Sequence, residues 1–139
     1  MSELNPLRML TSTEFVIDTN VAIALINDPQ AAKLRVPRGA RVFAPVIVIG
    51  ELYFGAAKSQ RVGENLAKVE DFAGSVGILA IDLAVSRRYG EMRQWLEARG
   101  RRIPENDMWI AGTALVHGLP LVTADQHFAN VEGLTILKW

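Results

Sequence analysis

Short apolar runs alternate with longer amphipathic segments along this chain, and this alternation restricts the fold more than any other sequence feature. The short runs are three or four residues long, as buried strands are, and they lie at 15–17, 41–44, 78–81, 121–123 and 134–137. Helical patterns occupy the segments between them, at 21–26, 46–58, 63–72, 83–99 and 108–117. Strands that alternate with helices form a parallel sheet with helices on both faces. The sequence therefore predicts a three-layer α/β/α fold around a central parallel sheet of four to five strands.

The chain has 139 residues, and one domain takes roughly 100–200. It contains no internal repeat, low-complexity stretch or linker, so we expect one domain over residues 1–139, with 1–13 as an N-terminal extension. That extension lacks the apolar core of a signal peptide. The apolar stretch at 42–57 is interrupted by Pro45 and Glu51 and is too short for a bilayer, which needs about 20 apolar residues. We expect a cytoplasmic protein without a membrane segment.

Composition excludes several classes of function. The absence of cysteine excludes a disulfide scaffold, a thiolate zinc site and a cysteine nucleophile. Neither the dinucleotide-binding nor the P-loop glycine motif occurs. Fifteen basic and fifteen acidic residues give a formal charge of zero, which at first argues against a nucleic-acid binder. Residues 87–102, however, contain six arginines and two glutamates, so a basic face remains compatible with the sequence.

Four acidic residues occupy positions where a carboxylate is either costly to bury or well placed to bind a ligand. Asp18 ends the first predicted strand, Asp125 follows the fourth, and Asp107 opens a predicted helix. In open parallel sheets, ligands bind outside the carboxyl ends of the strands. Each of these acids also has a structural explanation: Asp18 and Asp107 could be helix N-caps, and Asp125 could be a turn aspartate. The two interpretations stay open for each residue taken alone.

Glu51 is harder to explain structurally, because it is the only charge within residues 42–57. Burying an unpaired carboxylate costs several kcal/mol or more, so a distant arginine or a metal ion must compensate for it. Four acids at one end of a sheet would also repel each other unless a cation lay between them. Oxygen ligands without cysteine suit Mg²⁺ or Mn²⁺ rather than zinc. Such carboxylate clusters are the usual apparatus for hydrolysing phosphodiesters.

These acids lie in four sequence blocks, which read FVIDTNV at 15–21, GELYFGA at 50–56, NDMWIAGTA at 106–114 and LVTADQHF at 121–128. In order, spacing and total length the blocks resemble the PIN-domain family, specifically the VapC-type toxin ribonucleases of bacterial type II toxin–antitoxin systems. The resemblance covers roughly residues 14–139 and implies a single PIN domain. It implies a metal-dependent endoribonuclease that uses Mg²⁺ or Mn²⁺. The catalytic and metal-binding residues that it implies are Asp18, Glu51, Asp107 and Asp125.

The resemblance also implies partners. They are an RNA substrate, structured RNA such as transfer RNA, and a small antitoxin that holds the enzyme inactive. A homodimer is expected, as is a hetero-oligomer with the antitoxin. Under this interpretation some arginines of residues 87–102 hold the RNA backbone, and we select Arg99, Arg101 and Arg102; otherwise they form a solvated face.

Several residues near the acids have less certain assignments. Asn20 and Thr123 could hydrogen-bond a ligating carboxylate or a water, although a cap or turn role is equally compatible. Asp82 is predicted to cap the helix that begins at Leu83. We expect Trp109 to pack against the sheet rather than to stack on a base. His127 follows Asp125 closely, but it is left outside the predicted site.

The alternative function is a non-catalytic α/β regulatory or binding module. A receiver-like domain would need an acidic pair after the first strand, an acceptor aspartate after the third and a late lysine. Here Asp18 stands alone after the first strand, Asp82 is a solitary candidate acceptor, and Lys138 is next to the end of the sequence. A degenerate nuclease retained for binding is the other form of this alternative, although all four acids are present.

Overall fold

The computed structural model describes residues 9–139 of the chain. Five strands form one sheet; they are β1 (Glu14–Ile17), β2 (Arg41–Pro45), β3 (Gly77–Leu79), β4 (Leu121–Thr123) and β5 (Ile136–Lys138). Their order in the sheet is β3-β2-β1-β4-β5, and every neighbouring pair is parallel. The predicted α/β fold with a parallel sheet of four to five strands is therefore confirmed, and the sheet has five.

Helices connect and flank these strands. They are α1 (Thr19–Asn27), α2 (Pro29–Arg35), α3 (Val46–Ala57), α4 (Val62–Ser75), α5 (Leu83–Ala98) and α6 (Glu105–His117), with a short 3₁₀ helix at Gln126–Asn130. No helix within residues 9–139 is both long enough and apolar enough to cross a bilayer. The N-terminal extension predicted for residues 1–13 lies in part outside the described residues, because residues 1–8 are not among them.

The central strand β1 explains why the first apolar run has no polar alternation. Phe15, Val16 and Ile17 are all fully buried. Phe15 is paired with Val42 of β2, and Ile17 is paired with Val122 of β4. A strand with neighbours on both sides and helices over both faces is apolar at every position. The first polar residue after this run, Asp18, therefore lies at the carboxyl end of the sheet.

Helix boundaries largely follow the predicted caps. The Asp82 carboxylate accepts a hydrogen bond of 2.9 Å from the Val85 N–H at the start of α5, as predicted. Gly100 lies just beyond the end of α5 with φ of +65°, a conformation that glycine adopts without strain. These two residues mark both ends of α5, which carries Arg87, Arg88 and Arg93.

Two helical features differ from the sequence prediction. Helix α2 was not predicted, and it begins directly after α1: the Asp28 carboxylate accepts a hydrogen bond from the Ala31 N–H at 3.1 Å, and Pro29 occupies the first turn, where its missing N–H costs nothing. Helix α6 begins at Glu105 instead of Met108. Asp107 therefore lies within the first turn of α6, and the interpretation of Asp107 as an N-cap is wrong.

Trp109 has a ring contact on a neighbouring helix that the sequence did not predict. Its ring stacks on that of Tyr89 with centroids 3.8 Å apart and an interplanar angle of 1°. This contact joins α6 to α5. It places the arginine-bearing helix directly beside the helix that carries Asp107.

Candidate active site

The four predicted acids meet in one cleft at the carboxyl end of the sheet. Asp18 follows β1 and Asp125 follows β4, which are neighbouring parallel strands, while Glu51 lies on α3 and Asp107 on α6. The cleft has a volume of about 430 Å³. It is lined by Asp18, Thr19, Asn20, Glu51, Pro104, Glu105, Asn106, Asp107 and Asp125. Strands and helices far apart in sequence thus bring the four carboxylates together.

Asp18 acts as a helix cap and as a member of the cleft at once. Its Oδ1 accepts a hydrogen bond from the Val21 N–H at 2.9 Å, and its Oδ2 accepts one from the Thr123 hydroxyl at 2.5 Å. The residue is only 3% exposed. Burial raises the pKa of Asp18, and the hydrogen bonds from Thr123 and Val21 offset part of that rise. The cap and site interpretations of Asp18 therefore do not exclude each other.

Thr123 connects two of the acids. Besides donating to Asp18, its hydroxyl oxygen accepts a hydrogen bond from the Asp125 N–H at 3.0 Å. The side chain is buried at the end of β4, so the sheet fixes its position. This geometry suits a group that orients a ligating carboxylate, and that role for Thr123 stays a prediction.

Asp107 contacts a residue that the sequence analysis left out. Its Oδ2 lies 2.7 Å from Nε2 of His127. Burial is the main cause that raises the pKa of Asp107; the contact with His127 lowers it, and the charges of Asp125 and Asp18 raise it further. The contact joins positions 20 residues apart, so no local pattern announces it. The closeness of His127 to Asp125 in the sequence was the one available signal.

Glu51 is half-buried, and its partner is a hydroxyl group. The Thr19 Oγ1 donates a hydrogen bond of 2.6 Å to Glu51 Oε1. The sequence predicted a distant arginine or a metal ion as the compensating group, and within residues 9–139 no arginine pairs with Glu51. Glu51 is not fully buried, because it lines the cleft from an otherwise apolar helix.

A fifth carboxylate, Glu105, lies at the rim of the cleft and was not predicted. The Tyr89 hydroxyl donates to Glu105, and Arg93 lies 3.4 Å from the same carboxylate and donates to the Tyr89 oxygen at 2.8 Å. The hydrogen bond to Glu105 is the main cause that raises the pKa of Tyr89. Glu105 is thus held by α5 and has less freedom to turn inward.

Of the remaining predicted residues, Asn20 lies at the cleft and Arg102 lies near its rim. Asn20 is exposed and lines it. Arg102 shares a small neighbouring cleft with Glu105, which places it near the rim. Arg101 is exposed, and the Arg99 guanidinium lies 4.0 Å from the centroid of the Trp95 ring while donating to the Trp95 carbonyl at 3.1 Å. These arginines are available to an approaching ligand.

The donor set of the cleft fits a divalent cation. Asp107, Asp125 and His127 each offer one ligand atom, and these three atoms lie within 4.8 Å of one another. The raised pKa values of Asp18 and Asp107 show that the site disfavours their ionised forms, a penalty that a bound cation would offset. A larger cleft of about 890 Å³ between α2, α4 and β2 is mostly apolar and is lined by Lys33 and Arg38 without an acid, so it offers no carboxylate ligand.

The raised pKa values give a stability prediction in the presence of EDTA. A carboxyl group with a higher pKa in the folded than in the unfolded state binds protons preferentially when folded, so its contribution to stability falls as the pH rises from about 4 through the raised pKa. Asparagine does not titrate, so replacing Asp107 with Asn removes this fall in stability with rising pH. We expect the melting temperature of Asp107→Asn, relative to the unmodified protein, to be higher at pH 7 than at pH 4. A difference that does not change with pH would contradict this account of Asp107.

Adding a divalent ion should stabilise the unmodified protein more than it stabilises Asp107→Asn. At ten times the dissociation constant, an ion that binds only the folded state stabilises it by RT ln 11, about 1.4 kcal/mol. For a domain of this size this is a rise in melting temperature of roughly 3–8 °C. We expect that rise on adding Mn²⁺ to the unmodified protein at pH 7, and a smaller one for Asp107→Asn. Equal rises in both proteins would show that Asp107 is not a ligand.

Comparisons with known proteins identify the family of this chain. The profile of the family described as PIN domain matches residues 15–134. The tRNA(fMet)-specific endonuclease VapC of Shigella flexneri is 33% identical over 130 residues, which are 91% of this chain and 98% of that protein. Ribonuclease VapC5 of Mycobacterium tuberculosis is 34% identical over 121 residues, which are 85% of this chain and 87% of that protein.

Solved structures show the same similarity. The DNA-bound VapBC of Salmonella typhimurium superposes with a TM-score of 0.82 at 30% identity and covers 91% of this chain and 98% of the other. VapBC2 of Rickettsia felis, bound to a DNA fragment from its promoter, gives a TM-score of 0.81 at 27% identity with the same coverage. The chain therefore belongs to the PIN-domain family, among its VapC-type ribonucleases.

Proposed function

We propose that this chain is a metal-dependent endoribonuclease that acts as the toxin of a toxin–antitoxin pair, with Mg²⁺ or Mn²⁺ held by Asp18, Glu51, Asp107 and Asp125. The observation that carries the proposal is the convergence of these four carboxylates, from four separate elements, on one cleft of about 430 Å³. Membership in the family supports the same activity. No observation supports a receiver-like module. A degenerate nuclease would have the same fold, so only an activity measurement separates it from an active enzyme.

The chain's own residues hold the carboxylates in fixed orientations. The Thr123 hydroxyl fixes Asp18, the Thr19 hydroxyl fixes Glu51, and His127 faces Asp107. Preorganised ligands and acceptors need not rearrange when the substrate arrives. A divalent ion held by these residues would lower the pKa of a bound water and would offset the negative charge that develops on the phosphate. The carboxylates would hold the ion in place, and the open face of the cleft would admit the RNA backbone.

For the substrate we propose structured RNA, and transfer RNA in particular, because one relative is named a tRNA(fMet)-specific endonuclease. The test is to incubate the purified protein with a transfer RNA pool and with an unstructured RNA of similar length, and to map the cut positions by sequencing. Cuts at one or a few defined positions in transfer RNA would support the proposal. Equal cleavage of both RNAs at scattered positions would contradict the substrate, and no cleavage of either would favour the degenerate nuclease.

For partners we propose a small antitoxin and a homodimer, alone or within a hetero-oligomer. The antitoxin is supported by the similarity to solved VapBC complexes. Light scattering of the chain, expressed alone and together with the protein encoded beside it, would measure both assemblies. We further propose that residues 1–139 form one PIN domain preceded by the extension at 1–13, and that the protein acts in the cytoplasm, where its RNA substrate is found.

The three arginines that follow α5 give a binding prediction. Replacing Arg99, Arg101 and Arg102 with Ser should weaken RNA binding and flatten its salt dependence, by about 0.7 in the log–log slope for each phosphate of single-stranded RNA that the protein no longer neutralises. Binding is measured in the Asp107→Asn background, so that cleavage does not interfere. The control is Arg41→Ser, because Arg41 is exposed at the start of β2, at the opposite end of the sheet. If the triple substitution leaves the slope unchanged, these arginines form only a solvated face and do not bind RNA.

A further inference from the structure

One of the two histidines of this chain lies at the acidic site. Nε2 of His127 is 2.7 Å from Asp107 Oδ2, and one ligand atom each of Asp107, Asp125 and His127 lie within 4.8 Å of one another. We propose that His127 is a nitrogen ligand of the divalent ion in this site and that it shifts the ion preference from Mg²⁺ toward Mn²⁺. This inference rests on the proposed function and assigns a ligand beyond the four carboxylates.

The local fold holds the His127 ring in place. His127 belongs to the 3₁₀ helix that directly follows Asp125, and the next residue, Phe128, is fully buried. The two rings are in tilted contact, with centroids 4.9 Å apart. The side chain of His127 is 29% exposed and that of Asp107 is 21% exposed, so neither is a freely solvated surface group. The buried Phe128 therefore anchors the segment that presents the imidazole to Asp107.

The chemistry of the added nitrogen sets the expected ion. Mg²⁺ takes oxygen ligands and gives up its waters reluctantly, so an imidazole adds little to its binding. Imidazole suits first-row transition metals better, and Mn²⁺ combines the preference of Mg²⁺ for carboxylate and water oxygens with a greater acceptance of nitrogen. Four carboxylates alone would discriminate weakly between the two ions. The same four with one imidazole should favour Mn²⁺.

The experiment compares four proteins at one fixed pH: the unmodified chain, His127→Gln, His127→Phe and His117→Gln. His117→Gln is the matched control, because His117 is the other histidine and lies exposed at the far end of α6. Pulsed electron paramagnetic resonance of the Mn²⁺-loaded protein detects a directly bound imidazole nitrogen as a nitrogen modulation. We expect this modulation in the unmodified protein and in His117→Gln, and its loss in both His127 variants.

Calorimetric titration gives the second measurement. The ratio of the Mg²⁺ to the Mn²⁺ dissociation constant should fall about tenfold or more in both His127 variants, which is about 1.4 kcal/mol of discrimination. His127→Phe retains an aromatic ring beside Phe128, so a folding defect in one variant does not decide the result. Equal losses of affinity for both ions, or no nitrogen modulation in the unmodified protein, would overturn the proposal and leave His127 as a hydrogen-bond partner of Asp107.

Failure of the proposed function has a different signature. An unmodified protein that binds neither ion and cuts no RNA would overturn the metal-dependent activity and this inference together. An unmodified protein that binds Mn²⁺ and cuts RNA, with His127 variants that keep its ion ratio, would overturn only the role of His127.

Discussion

Asp107→Asn should lower RNA cleavage by about 10³-fold or more while the fold persists. Asp107 lies in the first turn of α6, where its carboxylate faces the cleft. Losing a ligand of the ion removes several kcal/mol of transition-state stabilisation, and each 1.36 kcal/mol is a factor of ten in rate. Asp18→Asn should lower cleavage to a similar extent. Its fold should persist as well, because asparagine caps a helix about as well as aspartate does. Single-turnover cleavage of a labelled transfer RNA measures the rate.

The control for these variants is Asp82→Asn, which changes a capping aspartate outside the cleft. It should keep the full cleavage rate. Growth arrest on expression should disappear with Asp107→Asn and Asp18→Asn and persist with Asp82→Asn. Ion-dependent cleavage retained by folded Asp107→Asn would remove that residue from the catalytic set.

Phe128→Ala should have the largest effect on stability. Phe128 is fully buried and follows Asp125 and His127 in the same short segment. Truncating a buried phenylalanine costs about 3–5 kcal/mol, which is a large part of the roughly 5–15 kcal/mol that stabilises a typical domain. Denaturant unfolding followed by circular dichroism measures the loss.

The matched control is Phe54→Ala, because the Phe54 side chain is 65% exposed and packs against Lys58. It should change the free energy of unfolding by less than about 1 kcal/mol. If Phe128→Ala cost no more than Phe54→Ala, then Phe128 would not anchor the segment that carries Asp125 and His127.

Much of the fold could be predicted from the sequence, because the signals that define it are local. Each strand is a short apolar run, and Asp82 and Gly100 mark the ends of α5 by standard capping chemistry. Helix α2 could not be predicted in the same way, because Asp28 and Pro29 have two roles at once. A proline is a strong signal for the end of one helix, and the same proline is favoured in the first turn of the next.

The site was predictable only as far as its parts have sequence signals. Asp18 and Asp125 follow apolar runs, and Glu51 interrupts one, so each could be named before the structure was known. The contacts of His127 with Asp107 and of Tyr89 with Glu105 join elements 20 and 16 residues apart. Such contacts depend on how helices pack on the sheet, which no local pattern specifies. The stacking of Trp109 on Tyr89 was not predicted for the same reason.

The central claim is that the four carboxylates hydrolyse RNA with the help of a divalent ion, and the most direct test is cleavage under metal control. The purified protein is treated with EDTA and dialysed, and cleavage of transfer RNA is measured before and after Mn²⁺ or Mg²⁺ is restored. Mass spectrometry then identifies the product ends. We predict no cleavage without the ion, recovery on its addition, and products without a 2′,3′-cyclic phosphate, because a water and not the RNA 2′-hydroxyl attacks the phosphorus. Cleavage that persists in EDTA and leaves cyclic phosphate ends would contradict the account.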